Sequence, residues 1–124
     1  MDPIANMLIT IKNGYMAKKL QVSVPYSKFK YEIAKVLGRK KFVDSVKKAE
    51  SKIIISLLYK NQKPGLTQIK KVSKLGLRIY TKSKNIKKIK GGRGTIIIST
   101  PQGVMTGEEA KSKNLGGEII CQLW

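Results

Sequence analysis

The sequence predicts an α+β chain, with an N-terminal α-β-α-β-β half packed on a smaller, mainly β C-terminal half. Three observations carry this. Ile4, Met7, Leu8, Ile11 and Tyr15 recur at helical spacing behind Asp2–Pro3. The run IIISLLY, Ile53 to Tyr59, is apolar and of strand length. Beyond Gly65 the apolar runs stay short and are broken by Gly, Asn and Lys clusters, which suits strands better than helices.

The elements follow in order. Asp2 caps a first helix and Pro3 opens it, where a missing N–H costs nothing. Thr10, Lys12 and Asn13 fall off its apolar stripe. Gln21 to Val24 alternates as a strand and stops at Pro25. Ser27 caps a second helix with the core stripe Phe29, Ile33, Val36, Leu37. Gly38 ends it by propensity. Phe42 to Lys48 and Ile53 to Tyr59 form a hairpin around Ala49–Glu50, the second strand apolar enough to be covered on both faces. Asn61, Pro64 and Gly65 read as a linker, dividing the chain into 1–62 and 63–124. Gln68 to Ser73, Leu77 to Thr81, Thr95 to Ser99 and Glu118 to Leu123 are the remaining strands. A short helix starts at Thr106, with Glu109 at the reciprocal capping position. Asn114, Gly116 and Gly117 bend the chain ahead of the last strand.

Charge narrows the partner. The 124 residues hold 26 Lys and Arg against 7 Asp and Glu, a formal net charge of +19. No acidic residue lies between Glu50 and Glu108, while basic ones run from Lys52 to Arg93. A compact body so charged repels itself until a polyanion neutralises it. RNA, DNA and an anionic membrane surface are the candidates. Hydrophobic residues make up 41%, enough for a modest core, and pieces of about 60 residues are marginal alone. The halves are therefore expected to pack on each other or on a partner.

Enzyme readings fail on inventory. There is no histidine, and the few carboxylates are scattered. Gly91–Gly92–Arg93–Gly94 lacks the Lys-Ser/Thr of a phosphate loop and precedes a strand. One cysteine, Cys121, rules out an intrachain disulfide, and with no histidine and no second cysteine a zinc site is not expected. Cys121 alternates within an apolar strand, as a small buried hydrophobe does. No metal or cofactor is expected. There is no 18-residue apolar run and no basic-then-apolar leader, so the expectation is a soluble, cytoplasmic protein.

The candidate chemistry lies at two turns. Ser99 and Thr100 close one apolar run, and Gly116, Gly117 and Glu118 open another. Small hydroxyls and bare backbone on rigid strand ends can approach RNA base edges and 2′-hydroxyls. Glu118 is unusual in so basic a chain. A carboxylate accepts hydrogen bonds from base amino groups and is repelled by phosphate, which makes it a reader of bases. On the residues alone a plainer reading stands beside this one, since Ser-Thr pairs also cap turns and glycines also serve bulges.

The stretches DPIANMLITIKNG, KVSKLGLRIY, IISTPQGVMT with its following EEAK, and NLGGEIIC closely resemble the bacterial form of the small-subunit ribosomal protein eight family, along essentially the whole chain. The resemblance implies that Ser99, Thr100, Gly116, Gly117 and Glu118 form the main contact with a helix in the central domain of small-subunit ribosomal RNA. It places Tyr80 near that contact, matches Ser73 and Lys74 to a Ser-Lys pair, and sets Thr10, Lys12 and Asn13 against a second part of the same RNA. Lys87, Lys88, Lys90 and Arg93 read as diffuse neutralisers of phosphate. Three positions depart from the family. Pro101 stands where serine is common, Leu75 where proline is usual, and Lys41 where a glycine usually precedes Phe42. The family's second helix also runs about two residues past Gly38.

The implied role is structural: a primary binder of ribosomal RNA that helps assemble the platform of the small subunit. It would act as a monomer within the ribosome beside small-subunit proteins five and twelve. The rival is a nucleoid-type, nonspecific DNA-binding protein, for which the chain offers no helix-turn-helix, basic arm or dimer seam. A membrane-surface role lacks a wide aromatic-apolar helix face opposite a lysine face.

Overall fold

A computed structural model of the chain describes residues 2–74, 76–86 and 94–124. Leu75 and the run 87–93, with Lys87, Lys88, Lys90 and Arg93, lie outside the described residues. The fold is α+β, with mixed helix and antiparallel sheet, and divides into two compact units, Met1–Thr67 and Gln68–Trp124.

In the first unit, α1 spans Pro3–Met16 and α2 Lys28–Arg39. The Asp2 carboxylate accepts from the N–H groups of Ile4 and Ala5, and the Ser27 hydroxyl from that of Lys30. Strands β1 (Gln21–Pro25), β2 (Ser45–Ala49) and β3 (Lys52–Ser56) form an antiparallel sheet with β3 in the centre. Helix α1 lies against β1 and α2 against β2. The core between them holds Met7, Leu8, Ile11, Val22, Val24, Ile33, Leu37, Ile53 and Ile55.

Three local expectations are corrected here. Phe29 is 38% exposed, and Lys30 and Ala34 are buried on α2 instead, because the buried face turns one position round the helix. Strand β3 buries Ile53 and Ile55 but leaves Ile54 half-covered, so one face only is sealed. It also stops at Ser56, and Tyr59–Lys60 (β4) pairs with Lys63–Pro64 (β5) as a separate hairpin. Its turn is Asn61–Gln62, at φ +51° and +67°. What reads as a linker is thus a two-residue turn with both φ positive, the form that matches strand twist.

Both long helices end alike. The Phe42 N–H bonds the Leu37 carbonyl at 2.9 Å and the Lys41 N–H the Gly38 carbonyl at 3.1 Å, with Lys41 at φ +64°. Lys18, at φ +57°, closes α1 with the same pair of bonds to Tyr15 and Gly14. These are Schellman ends with lysine at the left-handed position that glycine usually fills. Gly38 lies inside α2, not after it.

In the second unit, β6 (Ile69–Lys71), β7 (Tyr80–Thr81), β8 (Thr95–Thr100), β9 (Gly103–Thr106) and β10 (Gly117–Leu123) form one antiparallel sheet. Strand β10 is central, with β8 on one edge and both β6 and β7 along the other. Strand β9 was not among the expected elements. Its residues, GVMT, are too few to show a period on their own. A capping box of Thr106 and Glu109 starts α3, Gly107–Ser112. Ile86, Ile96, Ile98, Met105 and Ala110 make the core under α3, with Ile119 packed against it. Opposite Ile97 and Ile98 the register of β10 slips by one residue, between Ile119 and Cys121, which leaves Ile120 as the extra residue of a β-bulge.

Candidate nucleic-acid interface

Register brings three of the expected residues into a row. Glu118 pairs with Ser99 of β8 on one side and with Tyr80 of β7 on the other. Residues directly opposite in a sheet project from the same face. Ser99, Glu118 and Tyr80 therefore stand side by side across three strands. Tyr80 is 69% exposed, so its ring is outside the core and open to stacking. Ser99 and Glu118 are half-buried.

Thr100, next to the row, is buried and occupied. Its hydroxyl donates to the Gly103 carbonyl at 2.8 Å and accepts from the Gln102 N–H at 3.2 Å. The turn Pro101–Gln102 joins β8 to β9, with Gly103 at φ +117°. Pro101 occupies the first corner, where its fixed φ suits the turn. One lone pair of Thr100 is left, so toward any ligand this hydroxyl can only accept.

Gly116 and Gly117 are needed for space rather than for conformation, since neither has a positive φ. A β-carbon on Gly117 would overlap the Ser99 carbonyl oxygen, and one on Gly116 the Thr81 carbonyl oxygen. The bend itself falls at Asn114, at φ +57°. The two glycines let β7, β8 and β10 close up around the row.

Ser73 does not present a group to a ligand. It is fully buried, donates to the Ile119 carbonyl at 2.6 Å and accepts from the Ile79 N–H at 3.0 Å. It ties the segment carrying Tyr80 to β10. Lys74 is exposed beside it and bridges to Leu77. Thr10, Lys12 and Asn13 belong to the first unit. The Thr10 hydroxyl donates back to the Asn6 carbonyl at 2.8 Å, Lys12 is half-buried at the rim of a groove with Tyr15, Pro64 and Leu66, and Asn13 is exposed.

Arg78, two positions before Tyr80, is an exposed cation, and so are Lys82 and Lys84 further along the chain. Among the described residues no three His, Cys, Asp or Glu side chains gather as a metal site would require, and no helix is long and apolar enough to cross a membrane.

A family model for ribosomal protein S8 matches residues 2–124. The chain belongs to the ribosomal protein S8 family. Its relatives agree. It is 46% identical to small ribosomal subunit protein uS8 of Roseiflexus castenholzii, over 99% of this chain and 97% of that one. It is 42% identical to the uS8 of Oleidesulfovibrio alaskensis, over 99% and 98%, and 39% identical to that of Mycoplasmopsis synoviae, over 99% and 97%.

One residue at the row of this S8-family chain carried no mark in the sequence. Arg78 Nη1 donates to Glu118 Oε2 at 3.2 Å, an ion pair across 40 positions. The i, i+2 spacing of Arg78 and Tyr80 was the available signal, since it puts both on one face of an extended segment. Among so many cations, nothing in the sequence marked this one.

Proposed function

We propose that this chain binds an irregular helix in the central domain of small-subunit ribosomal RNA and helps assemble the platform there. Family membership makes it a structural constituent of the small ribosomal subunit, in the cytoplasm, with no catalytic role. The observation that carries the finer reading is the row Ser99–Glu118–Tyr80. It aligns a hydroxyl, a carboxylate acceptor and an open phenol ring on one face, with the Arg78 guanidinium beside it. That set suits splayed bases and ribose edges better than a bare phosphate backbone.

In this reading 63–124 is the RNA-binding domain. Ser99, Glu118 and Tyr80 touch RNA, Thr100 accepts from it, and Gly116, Gly117 and Ser73 shape the surface. Lys74 meets phosphate, and Thr10, Lys12 and Asn13 of the 1–62 domain meet a second part of the same RNA. Small-subunit proteins five and twelve are the proposed neighbours, with the chain present as one copy.

Crosslinking the protein in cell lysate and sequencing the attached RNA tests the target. Reads should concentrate in one segment of small-subunit ribosomal RNA. A titration at matched salt tests the class of nucleic acid. A transcript of the central domain should bind more tightly than duplex DNA of equal length. If roughly 4 to 8 phosphates are neutralised, the log–log salt slope should lie near −3 to −7. Equal affinity for transcript and DNA favours the nucleoid reading instead.

A further inference from the structure

The centre of the row is a carboxylate on the surface of a chain with a net charge of +19. An isolated glutamate there is a poor reader. It has three rotatable bonds, and every phosphate of an approaching RNA repels it. Arg78 answers both difficulties. Its Nη1 holds Oε2 of Glu118 at 3.2 Å, while Oε1 has no partner among the described residues. The Glu118 side chain is 22% exposed and that of Arg78 47%. So open an ion pair contributes little to folding, and stability gives no reason for it.

We propose that Arg78 is the positioning residue of the RNA site. It fixes the Glu118 carboxylate with Oε1 turned to the ligand, and it cancels the charge that would repel phosphate. Oε1 is then the acceptor for a base amino group or a ribose hydroxyl, beside Ser99 and the Tyr80 ring. Specificity comes from the pair and not from Glu118 alone. The inference rests on the row being the RNA face.

Four proteins test it: R78Q, R78K, E118Q and the double variant R78Q/E118Q. Each is titrated across a salt series against two probes, a transcript of the small-subunit rRNA central domain and a random-sequence hairpin of equal length, and each is melted without RNA. R78Q should weaken transcript binding by about tenfold, the scale of a lost charge-assisted bond. Hairpin binding should hold within about twofold, the spread of independent effects. The salt slope should not change. The double variant should bind no more weakly than E118Q, because both changes remove one arrangement. R78K should recover part of the loss, since an ammonium supplies charge without the planar fork.

A salt slope smaller by about one, with equal losses on both probes, would make Arg78 a phosphate contact and overturn the proposal. Independent losses in the double variant would do the same. A fall in melting temperature with equal losses on both probes would assign Arg78 to the fold, also against it. Loss in E118Q without loss in R78Q removes Arg78 and leaves the RNA face standing. Full transcript binding in every variant removes the face itself.

Discussion

Gly117 meets the main-chain carbonyl of Ser99 with no room for a β-carbon between them. The obstacle is backbone in the central strand pair and cannot swing aside as a side chain would. Gly117→Ala should therefore force β8 and β10 apart at the row. The expected cost is about 1–3 kcal/mol, the range for overpacking a filled site. A urea melt followed by circular dichroism checks it. An unchanged midpoint would mean that the strand ends separate freely.

Thr100→Ala removes a donor and an acceptor that close the Pro101–Gln102 turn. The hydroxyl is internal to the protein, so the fold should feel its loss. A decrease of about 1–2 kcal/mol in stability is expected, from two hydrogen bonds of ordinary worth. Thr100→Ser keeps the hydroxyl and should recover most of it. If the alanine variant melts normally yet binds the transcript weakly, the hydroxyl serves RNA more than the turn.

Lys41→Gly should stabilise the protein. Lys41 sits at φ +64°, where a side chain costs roughly 1–2 kcal/mol. Glycine relieves this but adds freedom to the unfolded chain, about 0.4–1 kcal/mol the other way. A net gain of about 0.5–1 kcal/mol should appear as a higher urea midpoint with an unchanged slope. Lys41 is exposed, so no packing is lost.

Cys121 is buried, and burial pushes its thiol up to about 12 from the ordinary 9.0, against an opposing pull from Lys71. The neutral thiol is the form that the fold favours. Its contribution to stability is complete below pH 9 and declines as pH rises toward 12, because the unfolded chain ionises first. Iodoacetamide at pH 8 should leave the folded protein unlabelled and label it fully in urea. Labelling without denaturant would show that the end of the sheet opens readily.

The sequence disclosed what depends on neighbours along the chain. Asp2, Ser27 and the Thr106–Glu109 box announce helix starts by local chemistry, and all three cap as expected. Helix ends were harder to read, because Lys18 and Lys41 stand where glycine would have marked a stop. Strand β9 was too short for a period. At the site, residue types pointed to Ser99, Tyr80 and Glu118, but their alignment depends on strand register, which pairs residues far apart. Ser73 and Arg78 show the same limit. One is a hydroxyl whose burial no local pattern reveals, and the other a cation whose partner lies in another strand.

The extra residue in β10 has a consequence for how this protein can change. Side chains on a strand alternate by parity, and Ile120 interrupts the count. Glu118 therefore shares a face with Cys121 and Leu123, although it stands an odd number of positions, three, before the first of them. Take Ile120 out, and Ile119 and Cys121 become neighbours in a regular ladder, with Glu118 still opposite Ser99. A residue removed between Cys121 and Leu123 has no bulge to absorb it, and it turns the side chains on one side of the cut to the other face. The bulge is thus where this strand has slack: its length can change there without moving the carboxylate off the row, while the ladder on either side admits substitution only.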